Sequence, residues 1–95
     1  MGILIDRIET NLAQNGGKLS YEFTRDILSE ATATHHQMTP NTRVCVITLE
    51  SGHDLVGFAQ VLNAENDIRE MGEEIAYNRA AEKIWEVLGA IAKAL

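Results

Sequence analysis

The stretch Asn66–Leu95 reads NDIREMGEEIAYNRAAEKIWEVLGAIAKAL and contains no proline. Apolar residues recur in it at Ile68, Met71, Ile75, Ala81, Ile84, Trp85, Leu88, Ile91, Ala92 and Leu95. Steps of three and four residues place them on one stripe of an α-helix. Between them stand Arg69, Glu70, Glu73, Glu74, Asn78, Arg79, Glu82, Lys83, Glu86 and Lys93, which predict a solvated face. At about 1.5 Å per residue such a helix runs roughly 40 Å. A compact domain of this length measures about 30 Å across. The helix is therefore expected to span the domain and to reach a second copy.

Upstream, Arg43–Leu49 has the pattern of a strand. Val44, Val46 and Ile47 are β-branched, and Cys45, Ile47 and Leu49 share one face. Glu50-Ser51-Gly52-His53 reads as a turn, with Gly52 available for a positive φ. Asp54–Leu62 returns as the second strand of a hairpin over residues 43–62. Gly57 inside that strand marks a bulge or a close approach of another backbone. Asn63 or Asn66 is placed to cap the long helix.

The first forty residues read as helical. Leu4, Ile5, Ile8 and Leu12 give Ile3–Leu12 one apolar side, and Asn15-Gly16-Gly17 ends it. The run Asn15-Gly16-Gly17-Lys18 has neither the spacing nor the preceding strand of a phosphate-binding loop and reads as a linker. Ser20 is the N-cap type for a second helix over Tyr21–Ala33, with Phe23, Ile27 and Ala31 on one face. This helix fades through Thr32-Ala33-Thr34-His35-His36, and Gln37–Thr42, with the lone Pro40, reads as a loop. The fold class that follows is α+β in a single domain, 1–95. An antiparallel hairpin packs on a long C-terminal helix, with one or two short N-terminal helices. A two-stranded hairpin leaves both edges bare, which again favours pairing with another copy.

The 95 residues carry a net charge of −6 with 45% apolar residues. An acidic balance speaks against wrapping nucleic acid, whose binders carry basic stripes. No apolar run reaches the roughly 20 residues that span a bilayer. The start Met1-Gly2-Ile3-Leu4-Ile5-Asp6 lacks the basic and apolar regions of a signal peptide. One cysteine forms no internal disulfide, so a cytoplasmic setting is expected.

Val44-Cys45-Val46-Ile47-Thr48-Leu49, followed by Gly52 and Val56-Gly57, resembles the central motif of a family of small tailed-phage proteins. That family takes its name from gene forty-nine of phage N-four and gene sixty-six of phage Sf-six. The resemblance continues without gaps through Glu70-Met71-Gly72, Ile75-Ala76, Ala80, Lys83-Ile84-Trp85 and Leu88-Gly89, covering about Thr42–Gly89. Glu73 and Glu74 stand where members usually carry basic residues, and Phe58-Ala59 replaces a common Glu-Ser. The family brings no assigned activity. Phages commonly carry proteins of this size to blunt host defences, so the resemblance implies an anti-defence role in the host cytoplasm.

No residue pattern in the chain points to catalysis. Cys45 with His35, His36 or His53 offers a thiol and a base, but a mid-strand Cys beside Ile47 and Leu49 reads as a buried apolar residue. The adjacent pair His35-His36 is a poor chelating pair, and neither metal nor cofactor is expected. Trp85, between Ile84 and Leu88, reads as a core or interface anchor, with an aromatic platform for a base as the alternative. Arg79 and Lys83 repel at one helical turn unless Glu82 and Glu86, or an anionic ligand, compensate them. Two binding roles follow for a homo-oligomer, dimer or larger. In one, Arg43, Tyr77, Arg79, Lys83 and Trp85, with Tyr21 and Arg25, hold an anionic nucleotide-type signal between subunits and sequester it. In the other, the acidic Glu70, Glu73, Glu74, Glu82 and Glu86 block a basic host protein.

Overall fold

A computed structural model describes residues 2–60 and 68–94. The chain is α+β. Helices α1 (Gly2–Gln14) and α2 (Tyr21–Ser29) precede strands β1 (Thr32–Thr39), β2 (Thr42–Thr48) and β3 (Asp54–Gln60). Helices α3 (Arg69–Glu82) and α4 (Ile84–Ala94) complete it. The sheet is antiparallel in the order β1-β2-β3.

Strand β1 corrects the reading of residues 1–40 as helical and of Gln37–Thr42 as a loop. Helix α2 stops at Ser29, and Thr32–Thr39 pairs with β2 from Thr32↔Thr48 to Thr39↔Thr42. Pro40 and Asn41 form the turn between them, where proline's fixed φ favours a tight reversal. Every residue of β1 is exposed, so no apolar alternation marks it in the sequence. The cross-strand ladder to β2 is what orders it.

Strands β2 and β3 meet expectation. Cys45, Ile47, Leu49, Leu55 and Ala59 are buried on one sheet face. The turn closes with Gly52 N–H donating to Leu49 O at 2.8 Å, and Gly52 has φ +91°. The expected strand residues Val61 and Leu62 and the proposed caps Asn63 and Asn66 lie outside the described residues. Helix α3 begins after Ile68, which supplies no side-chain cap.

The C-terminal helical stretch is present but divided. Lys83 N–H bonds the Ala80 carbonyl at 3.0 Å, a tighter turn that ends α3 before α4 begins. The chain measures 50 × 22 × 20 Å, longer than a compact domain, so helix length alone gives no reason to reach a second copy. The apolar stripe also needs correction along α3. Gly72, Ala76 and Ala80 are its buried residues, while Ile68, Met71 and Ile75 are exposed. In α4, Ile84 and Leu88 are buried as expected, but Trp85 is 44% exposed and anchors no core.

Small residues face the sheet because the sheet leaves no room. Gly57 sits beneath α3, and a Cβ there would fall on the Ala80 nitrogen, 2.5 Å from Ala76 O and 2.8 Å from Ala80 Cα. The close approach expected at Gly57 is therefore real, and its partner is the α3 main chain.

At the other end, α1 packs along α4, and Leu4, Ile8, Phe23, Ile27, Ile84 and Leu88 share the core cluster. Ser20 caps α2 as expected, its Oγ accepting from Phe23 N–H at 3.1 Å. Asn11 ties α1 to that cap, its Oδ1 accepting from Ser20 N–H at 3.0 Å. Arg7 reaches Glu30 across the same helix pair at 2.6 Å. Gly16 and Gly17, at φ +65° and +87°, make the break between the two helices.

Gly57→Ala should lower stability by about 1–3 kcal/mol, because a methyl forces α3 off the sheet. For a chain of this size that is a fall of roughly 5–20 °C in Tm. Gly89, in α4, has nothing within 4 Å of an added Cβ. Gly89→Ala should instead raise stability by about 0.5–1 kcal/mol through helix propensity. Thermal melts of the two variants side by side check both signs.

Candidate functional site

Helix α3 has two flanks, and they differ in chemistry. With Ala76 facing the sheet, a 100° step per residue puts Arg69, Glu73 and Tyr77 on one side. The same step puts Ile68, Ile75 and Arg79 on the other. Arg79 Nη1 donates to Phe58 O at 2.9 Å, which sets the second flank against β3. The first flank therefore looks toward β2 and β1.

On that first flank lies a cleft of about 290 Å³ lined by His35, His36, Gln37, Arg43, Arg69 and Glu73. Register explains the gathering. His35 pairs with Cys45 and Gln37 with Arg43, so these four share the helix-side face of the sheet. Helix α3 covers β2 and β3 but not β1, which leaves His35 and Gln37 open to solvent. Arg69 and Glu73 descend from the helix one turn apart, with 3.6 Å between Nε and Oε2. Arg69 is largely solvated and Glu73 only partly, and at this separation the pair contributes little to stability. Two guanidinium groups, the His35 imidazole and an amide against one carboxylate form a donor-rich concavity on an acidic chain, while the His36 ring lies on the outer sheet face beside Thr34 Oγ1. Its chemistry suits an anion, because arginine forks match phosphate or carboxylate oxygens in pairs.

The seven residues proposed from sequence do not meet in one cavity of the chain. Arg43 lines this cleft. Arg79 is on the opposite flank, bonded to the β3 carbonyl rather than to Glu82 or Glu86. Tyr77 packs against the core cluster. Lys83 is exposed at the junction of α3 and α4, and Trp85 is exposed on the first turn of α4. Tyr21 and Arg25 are together on α2, the guanidinium 6.0 Å from the ring centroid. The sequence reading missed His35, Gln37 and Arg69 as partners of Arg43, because all but Arg69 were read outside any strand. Alternating Thr and His after a helix, then Pro40-Asn41, was the available signal.

Two other clusters carry nucleophiles. Cys45 is fully buried. Burial first, and the nearby Glu73 carboxylate second, hold its thiol above the usual range, so it keeps its proton. Ser51 Oγ lies 2.7 Å from His53 Nδ1, inside the hairpin turn, where the pair closes the loop. Among the described residues no three His, Cys, Asp or Glu are grouped to hold a metal ion. No helix among them is long and apolar enough to cross a membrane.

The Cys45 thiol gives a pH signature. Its folded pKa is raised, so its contribution is fully present below the unfolded value of about 8.5 and is lost as pH rises toward the folded one. Denaturant titrations from pH 7 to 10 should show stability falling above about pH 8.5, by at most about 1.4 kcal/mol per pH unit from this group. Cys45→Ala should remove that part of the slope. Equal slopes in both proteins would place the thiol in contact with water.

A family model covers residues 18–94, so α1 lies outside the match and the sheet, α2, α3 and α4 lie within it. Comparison with curated proteins and with solved structures gave no match. The matched span holds most of the chain and every residue of the cleft, and the chain belongs to the phage protein (N4 Gp49/phage Sf6 gene 66) family.

Proposed function

We propose that this phage protein is a non-enzymatic anti-defence protein that captures an anionic, nucleotide-type immune signal and withholds it from its receptor. The observation that carries the reading is the cleft where Arg43, Arg69, His35 and Gln37 meet on a chain of net charge −6. At about 290 Å³ it holds a phosphate with part of a ribose, below the usual volume of a whole-ligand site. A second copy would supply the rest. Exposed aromatics and cations at Trp85, Lys83, Tyr21 and Arg25 are the groups available for that. Glu73 turns toward Arg69 and tunes the cleft, so anion capture has to displace or share that ion pair.

A second reading keeps support from one feature. Glu70, Glu74, Glu82 and Glu86 are all exposed on α3 and α4, as an acidic surface that blocks a basic host protein requires.

Calorimetry against a panel of cyclic nucleotides and nucleotide-ribose compounds separates the two. Capture in the cleft predicts that a panel member binds the parent protein. Arg43→Ala and Arg69→Ala should each weaken that binding ten- to a hundredfold, the loss of a charge-assisted contact worth about 1.5–3 kcal/mol. Arg69→Ala should leave Tm nearly unchanged, since the residue is exposed. A parent protein that binds no panel member, yet protects phage during infection, overturns the capture reading in favour of the acidic surface.

A further inference from the structure

We propose that the outer face of the sheet, turned away from α3, is a self-association surface, on which a second copy of this chain seats its own outer face to close a β-sandwich. This inference stands apart from the cleft, which opens on the α3 side. A copy seated on the outer face leaves the cleft uncovered, so completing the cleft needs a further contact.

An antiparallel sheet with one solvated face alternates apolar and polar residues, whereas a strand covered on both faces reads as a continuous apolar run. Val44-Cys45-Val46-Ile47 and Leu55-Val56-Gly57-Phe58-Ala59 are such runs. Cys45, Ile47, Leu55, Gly57 and Ala59 are buried on the α3 side. Val44, Val46, Val56 and Phe58 alternate with them and point the other way. Val56 and Phe58 are 50% and 51% exposed there. The strands carry apolar side chains for two covered faces, and α3 covers one.

Register gathers the four into a single patch. Val44 pairs with Phe58 and Val46 with Val56, side by side on neighbouring strands. Thr34 and His36 of β1 flank them, opposite Val46 and Val44. Thr42 and Gln60 close one end and Thr48 and Asp54 the other. Among the described residues of this face Asp54 alone carries a full charge, and it accepts from Thr48 Oγ1 at 2.7 Å.

That composition selects a second copy as the occupant. The chain carries a net charge of −6, so two copies need a meeting surface without opposed carboxylates. A basic partner would be drawn instead to the exposed glutamates of α3 and α4. An apolar centre depleted of charge is the composition of homodimer interfaces. Shape agrees, because sheets of the same twist pack face to face about 10 Å apart with their strands inclined by about 30°. A twofold axis crossing the strands at the row of His35, Cys45 and Gly57 sets Val56 over Phe58 of the second copy, and Val44 over its Val46, each twice. Asp54 then lies over Gln60 of the second copy and not over its own equivalent. Leu4 and Ile27 line one cavity with Leu49 and Ser51, so the N-terminal helices lie beyond the β2–β3 turn. The axis sends the two helical ends in opposite directions, and α3 stays outside the sandwich in both copies.

Area sets the strength. Three strands of about seven residues make a face of roughly 14 by 23 Å. Covering its pleated side chains removes on the order of 600 Å² per copy, the lower end of specific interfaces. The dimer is therefore reversible, with a Kd in the micromolar range.

Sedimentation equilibrium from low to several hundred micromolar tests this. The mass should rise from 10.5 kDa toward twice that value. Phe58→Lys and Val56→Lys, both at exposed positions, should keep the circular dichroism of the parent and each raise the Kd at least about tenfold. Met71→Lys, exposed on the α3 side, should leave the Kd unchanged. A spin label on Thr48→Cys in a Cys45→Ala background, mixed with isotope-labelled parent, should broaden the parent's Thr42 amide, which the axis brings under the label. A parent protein of 10.5 kDa at several hundred micromolar overturns the proposal. So does a Kd that folded Phe58→Lys and Val56→Lys variants leave unchanged, a Kd that Met71→Lys raises equally, or broadening that spares Thr42.

Discussion

Helix α3 rests on the sheet at main-chain distance, and the rest of the architecture follows from that contact. Gly57 has no side chain, and Ala76 and Ala80 have only a methyl each, so backbone meets backbone. The seam buries less apolar area than a leucine row but orders no rotamers on folding. It also displaces the bulky apolar residues of α3 to the flanks. Ile68, Met71 and Ile75 are exposed for this reason, and the larger core residues collect at the other end, around Ile8, Phe23, Ile84 and Leu88.

Legibility in the sequence followed side-chain size and burial. The β2–β3 hairpin was readable because Cys45, Ile47, Leu49 and Leu55 alternate with less buried neighbours and Gly52 punctuates the turn. The Ser20 cap and the glycine break were readable from local chemistry alone. Gly57 announced a close approach, but not its partner. That partner was a row of small residues, Gly72, Ala76 and Ala80, at intervals of four. Counting large apolar residues selected the wrong face of α3 instead. Strand β1 left no apolar trace, since all eight of its residues are exposed and its order comes from the ladder to β2.

The candidate site inherits that gap. Arg43 was visible as a cation in a strand, but its neighbours depend on a pairing the pattern did not reveal. Once β1 is in register, Gln37 stands beside Arg43 and His35 beside Cys45, and the uncovered rim of the sheet becomes the wall of a cleft. The other cations proposed from sequence are dispersed by the same geometry. Arg79 belongs to the flank opposite Arg69, and Lys83 marks the place where the helix divides.

The seam at Gly57 also has a mechanical consequence. Side chains that interlock can change rotamer and absorb a displacement, but a contact between two backbones has no such slack. Helix α3 and strand β3 therefore form one stiff beam. The cationic cleft lies along one side of that beam and the Arg79 contact to Phe58 along the other. Helix α3 cannot settle closer to the sheet without a backbone clash at Gly57.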